Sequence, residues 1–254
     1  MFDWFRRNAV STVFAVVLGA ASLGAQGASA TTVTPKDVDL LFVIDKSGSM
    51  GNEFSTLANN VESFFTMLRD DARTGSVTGG LVTFLGTPTL NQSLTTDISA
   101  LKAKINDVSV GGGTENGLDA LTAGLPGGSL AGSIGWRSNT VKSFVLITDE
   151  DDDGARNYSA VGTAIKNAGY LNNIIVSGGG NDYAPSAVPT GAVFSLSLFT
   201  SDPTTFFSAF ATAKLGEIEN TPTTPGAIPL PASIPLLLSG LGLLGALRLR
   251  RKAG

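Results

Sequence analysis

The chain contains no cysteine and no histidine among its 254 residues. Without cysteine there is no disulfide, no thiol nucleophile and no thiolate metal site. Without histidine, Ser-His and Cys-His catalysis and imidazole-bound zinc are excluded as well. Any metal site must be built from oxygen donors. Charge is also sparse: 15% of residues are charged and the formal net charge is -4. That balance gives no reason to expect nucleic acid as a partner. What is present is apolar. Hydrophobic residues make up 43% of a chain long enough for one domain of ordinary size plus terminal segments, so a sizeable core is available.

The most informative stretch is Val38 to Gly51, VDLLFVIDKSGSMG. The apolar run Leu40 to Ile44 stops on Asp45 and gives way to Ser47, Gly48 and Ser49, the pattern of a buried parallel strand ending in a loop. Asp45, Ser47 and Ser49 alternate, so an extended loop points three oxygen-bearing side chains the same way. One carboxylate and two hydroxyls suit a hard divalent cation. The same residues also fit a plain strand-to-helix turn in which Ser49 caps the next helix. Two later segments bear on the choice. Gly111 to Gly117, GGGTENG, exposes Thr114 in a glycine loop before a helix, and Phe144 to Asp149, FVLITD, is a second apolar run ending on an acid. In an open parallel sheet the loops following the strands gather at one edge, at the topological switch point.

These residues resemble the von Willebrand factor A (VWA) domain family. Its metal-ion-dependent adhesion site has the pattern Asp-x-Ser-x-Ser, then Thr in a glycine-rich loop, then Asp closing a strand. The matching residues are Asp45, Ser47, Ser49, Thr114 and Asp149. Glu150 departs from the pattern, since many relatives carry Gly after that Asp, and Lys46 must point away from the site. The resemblance implies that the five residues hold Mg2+, or Mn2+ or Ca2+, with a coordination position left for the carboxylate of a protein or matrix partner.

The ends of the chain have separate chemistry. Arg6 and Arg7, the apolar stretch Ala9 to Leu23 and Ala28-Ser29-Ala30 form the order of a secretory signal peptide over residues 1–30, with cleavage expected after Ala30. The expected VWA domain spans 31–219. Residues 220–227 carry a Pro/Thr linker, NTPTTPG followed by Ala227. Residues 228–254 begin IPLPAS, continue as roughly twenty apolar residues, enough to cross a bilayer, and end RLRRK. The basic end favours the cytoplasm, so the domain is expected outside. This tail resembles the PEP-CTERM sorting signals of Gram-negative bacteria, in the variant reading Val-Pro-Leu-Pro-Ala; here it is Ile228-Pro229-Leu230-Pro231-Ala232. The resemblance implies processing by an exosortase-type enzyme, at least transient anchoring in the inner membrane by the C-terminal transmembrane helix, and delivery to the cell surface or matrix. A plain single-span anchor is the alternative.

Between the termini, apolar spacing predicts a helix over 53–69, a strand over 76–87, an edge strand over 89–94, a helix over 97–108 and a short helix bearing Leu118 and Leu121. A loose Gly, Pro and Ser segment spans 124–135. Further on come a helix near 159–168, a strand over 173–177, a last strand over 192–199 and a last helix over 204–219. This alternation predicts an α/β fold: a doubly wound, mainly parallel, Rossmann-like sheet flanked by helices. The acidic block Asp149 to Asp153 reads as a solvated loop, or functionally as extra cation ligands or an electrostatic lure for a cationic partner. Gly178-Gly179-Gly180 lacks the Lys-Ser/Thr of a phosphate-binding loop. The expected function is non-enzymatic: a surface-displayed, metal-dependent binding module. A structural matrix or biofilm component with a purely structural ion is the alternative, and a hydrolase with a metal-activated water is a third class.

Overall fold

The computed structural model describes residues 33–178, 180–187 and 189–223. The expected signal peptide and the expected C-terminal transmembrane helix lie outside these residues. Among the described residues, no helix is long and apolar enough to cross a membrane.

Six strands form one sheet in the order β3-β2-β1-β4-β5-β6. They are β1 (Lys36–Asp45), β2 (Thr74–Phe84), β3 (Thr89–Thr95), β4 (Val141–Thr148), β5 (Leu171–Val176) and β6 (Val193–Ser195). Only the β2–β3 pair is antiparallel, as a short edge hairpin; every other pair is parallel. The helices are α1 (Gly51–Arg69), α2 (Ile98–Asn106), α3 (Gly117–Gly124), α4 (Ala131–Ile134), α5 (Tyr158–Asn167), α6 (Ala184–Ala187), α7 (Leu196–Ser201) and α8 (Pro203–Asn220). The expected α/β architecture with a mainly parallel sheet is the one observed.

β1 shows why its run is almost continuously apolar. Leu40, Phe42 and Ile44 join a core cluster built with α1, α2, α7 and α8. Leu41 and Val43 join the opposite cluster, with residues of α3, α4 and α5. A strand buried on both faces has no position to give to solvent. On α1, Phe54, Leu57, Ala58, Val61, Phe64, Phe65 and Leu68 are buried at the predicted three-and-four spacing. Its contact with β2 is close enough that a Cβ on Gly79 would stand 2.5 Å from the Phe65 ring and 2.7 Å from Leu101. At the end of the sheet where β1 begins, the Lys36 ammonium donates to the carbonyls of Ile218 (2.9 Å), Glu219 (2.6 Å) and Thr221 (2.8 Å). It thereby satisfies carbonyls that the C-terminus of α8 leaves open.

Three expectations need correction. The segment 192–199 is not one strand. β6 has three residues, and Ser195 then caps α7 by accepting from the Leu198 N–H, so an apolar run continues as a helix. The loose segment 124–135 contains the short helix α4, anchored by fully buried Ile134 and stopped by Gly135 in the left-handed conformation (φ 84°). The helix expected over 97–108 is shorter at both ends: Asp97 is the N-cap of α2 rather than part of it, accepting from the Ala100 N–H at 3.0 Å.

Candidate functional site

The order of strands reverses between β1 and β4, the central parallel pair. Loops leaving the carboxyl ends of such a pair diverge and open a crevice. Asp45 ends β1, and Asp149 follows the last residue of β4, so the two acids flank this crevice.

Asp45 is fully buried. Its Oδ1 accepts from the Ser47 N–H at 2.7 Å, and its Oδ2 accepts from the Thr148 hydroxyl at 3.0 Å. Ser47 is buried, and its hydroxyl lies 3.2 Å from that of exposed Ser49. Residues 48–50 form a single 3-10 turn, pinned by fully buried Met50, and lead into α1. The capping role considered for Ser49 does not occur: α1 begins from Met50 with no side-chain cap. The two serines instead stay beside Asp45, and half-exposed Lys46 lies between them and the strand.

The glycine loop is stitched to this turn through its backbone. Gly111 N–H donates to the Lys46 carbonyl at 2.9 Å, Gly48 N–H to the Gly112 carbonyl at 3.2 Å, and Gly86 N–H to the Thr114 carbonyl at 2.9 Å. Gly112 has φ 87°, and a Cβ there would meet Leu85 at 2.7 Å, so both conformation and space call for glycine. Thr114 is therefore fixed through its carbonyl in a loop bonded to the Asp45 turn, and it is exposed.

The acidic block has a structural duty that none of the sequence readings anticipated. Asp152 Oδ1 accepts from the Leu118 N–H (2.8 Å) and the Tyr183 hydroxyl (3.1 Å), while Asp153 Oδ2 accepts from the Glu115 N–H (3.0 Å). These bonds latch the Thr114 loop and the start of α3 to the loop after β4.

Electrostatically the crevice is unbalanced. Burial pushes the Asp45 carboxyl up, outweighing its hydrogen bonds, and the charge of Asp149 adds to the rise. Burial likewise raises Glu53, on the first turn of α1, with Asp149 and Asp45 adding to it. Glu115 is pushed up to about 7, by burial first, then by its hydrogen bond to Asp153 and the charges of Asp45, Glu150 and Asp153. The neighbouring charges that raise these three carboxyls are all carboxylates. Two buried carboxylate oxygens, Asp149 Oδ1 and Glu53 Oε2, have no hydrogen-bond partner. Orphaned buried anionic oxygens are costly unless a cation or proton meets them.

Sequence reasoning missed Thr148, Glu53 and Glu115. Thr148 was legible in principle as the polar residue beside Asp149 at the end of an apolar run; the two glutamates become site residues only when α1 and the glycine loop pack. Among the described residues, no group of three or more Asp, Glu, His or Cys is arranged to hold a metal ion. Any ion here would depend on hydroxyl oxygens as well as carboxylates, which is the donor set that Ser47, Ser49 and Thr114 offer with Asp45 and Asp149. A cleft of about 620 Å³, lined in part by Gly86, Asn116, Asp119, Ala123 and Arg156, adjoins the Thr114 loop.

A mainly parallel, doubly wound sheet flanked by helices, with buried acids at its switch point, defines an α/β domain of the Rossmann-like class. The sequence model of the von Willebrand factor type A domain matches residues 39–188, more than half of the chain, and the protein belongs to that family. In fold it is similar to the VWA domain of SpRpn10 (TM-score 0.50, 16% identity, covering 63% of this chain and 87% of that one). A second match is proximal thread matrix protein 1 from the mussel byssus (TM-score 0.49, 16% identity, covering 71% of this chain and 46% of the other). Comparison with curated protein sequences gives no match.

Proposed function

We propose that this VWA domain is an exported, surface-displayed binding module that holds one divalent cation at Asp45, Ser47, Ser49, Thr114 and Asp149. Through that ion it engages an acidic group of a protein or matrix partner. The observation that carries this reading is the uncompensated acidity of the crevice, above all the partnerless buried Asp149 Oδ1 facing a field of carboxylates. When bound, Mg2+ (or Mn2+ or Ca2+) offers a coordination position that a partner's Asp or Glu side chain fills. The chain's own residues orient the donors. Thr148 and the Ser47 N–H fix the Asp45 carboxylate, and the Gly111 and Gly112 bonds fix the loop that carries Thr114.

The reading is non-enzymatic, because serine and threonine hydroxyls outnumber the carboxylates in the donor set and no histidine can serve as a base. Export rests on the signal-peptide pattern of residues 1–30. Membrane anchoring and exosortase-type processing rest on the PEP-CTERM-like pattern of 228–254. Calorimetric titration of the purified chain with Mg2+ and Mn2+ tests the site. One ion is expected to bind to wild type and none to Asp45→Ala; equal binding by both proteins, or none by either, overturns the assignment. Acetate that raises the affinity for the ion supports an open carboxylate position, whereas ion binding indifferent to acetate assigns the ion a structural role.

A further inference from the structure

On the other side of the sheet, α8 places a lysine where its apolar stripe should continue. Phe206, Phe210 and Lys214 follow at four-residue steps, and Lys214 is fully buried. Its ammonium donates to the Ser143 hydroxyl of β4 (2.8 Å), to Glu217 Oε2 one turn further along α8 (2.7 Å), and to the side-chain carbonyl of Asn173 on β5. Asn173 is also fully buried, and its amide nitrogen donates to the other Glu217 oxygen at 2.7 Å. One carboxylate therefore bridges an amine and the nitrogen of the carboxamide that the amine touches.

We propose that Lys214 and Asn173 join in an intramolecular isopeptide bond, with Glu217 carrying the proton between the two nitrogens. A buried ion pair alone would need no amide, and apolar residues would stabilise the core as well. The trio instead supplies a nucleophile, an electrophile and a shuttle. The amine touches Oδ1, one bond from Cγ, and is held there by Ser143 and the sheet, which makes the encounter intramolecular. Burial pushes the Lys214 pKa down, favouring the free amine, and the Phe210 ring, 5.8 Å from Nζ, walls the site with apolar surface.

The step balances without a co-reactant. Glu217 takes a proton from the ammonium, and the freed amine attacks Cγ of Asn173 to form the new N–C bond. Glu217 then protonates the amide nitrogen as its C–N bond breaks, and takes a proton from the attacking nitrogen. Ammonia leaves, the surplus proton remains on Glu217, and nothing is oxidised or reduced. The Glu217 side chain is 18% exposed, which gives the ammonia an exit. The product ties α8 covalently to β5 in a chain that has no cysteine for a disulfide.

Peptide mapping of the purified full chain tests this. Cleavage before aspartate separates Asn173, in fragment 153–181, from Lys214, in the fragment that starts at Asp202. Wild type is expected to yield a branched species joining the two, lighter by one ammonia than their sum, and to resist trypsin after Lys214. Glu217→Gln and Lys214→Met are expected to give linear fragments only, with unchanged helix content by circular dichroism. Linear fragments from wild type overturn the proposal, and a branched species from Glu217→Gln overturns the role given to Glu217.

Discussion

Two aspartates on β1 show how the same side chain serves opposite ends. Asp39 and Asp45 lie on the same face of the strand and both are fully buried. Asp39 accepts from the Thr78 hydroxyl (2.8 Å), the Thr140 hydroxyl (2.9 Å), the Arg137 N–H (2.8 Å) and the Arg137 guanidinium (2.6 Å). Its charge is met by a cation and both oxygens are occupied. Asp45 receives two bonds from neutral donors and is surrounded by further acids. A buried carboxylate that is fully paired holds a fold together; one left short of a cation is what the proposed ion site rests on.

The largest break in this contrast should come from Asp39→Ala, which breaks the ion pair with Arg137 and takes the acceptor from the Arg137 N–H and the Thr78 and Thr140 hydroxyls. It should lower unfolding stability by about 3–5 kcal/mol in a denaturant titration. Asp45→Ala in metal-free protein should cost far less or raise stability, because it removes a repelled charge. Equal losses for the two variants would erase the distinction. Next in size is the ion itself. At a hundredfold excess over its dissociation constant Mg2+ should add about 2.7 kcal/mol to wild type, read as a rise in melting temperature that a chelator reverses and Asp45→Ala lacks. Thr148→Val, which removes one of the bonds orienting Asp45, should weaken ion affinity roughly tenfold in the same calorimetric assay.

The smallest effect is on pH. Asp45, Glu53 and Glu115 bind protons more readily folded than unfolded, so metal-free protein should gain stability as pH falls from about 7, the Glu115 value, toward the unfolded carboxylate range near ~4. Saturating Mg2+ should flatten or reverse that slope. Asp71 runs the other way. Hydrogen bonds from Arg73 hold it at about 2, so its contribution is complete above ~4 and fades as pH falls toward about 2. Thermal melts between these limits, with and without Mg2+, separate the two signs.

Much of this fold is written locally. The double-sided burial of β1 and β4 leaves near-continuous apolar runs, and α1 and α8 keep their three-and-four spacing, so order and type of these elements are legible in sequence. What escapes is decided by single polar atoms or by distance. Ser195 turns the apolar run 192–199 into a helix with one hydrogen bond, and nothing in the hydropathy records it. The turn carrying Asp45, Ser47 and Ser49 is visible because its donors are two residues apart. Glu53 and Glu115 enter only through packing, and the Lys214 trio spans three elements. Its one local trace is a lysine interrupting the phenylalanine stripe of α8.

The Lys36 clamp has a consequence for how the domain is carried. By gripping the last carbonyls of α8, it brings the points where the described chain enters and leaves to one pole. Asp45 sits at the far end of the same strand, roughly 30 Å away at the usual rise per residue. At Thr223 the described chain therefore ends at the pole opposite the acidic crevice. A pull applied at Thr223 would load α8 first, at the helix where Lys214 meets the sheet.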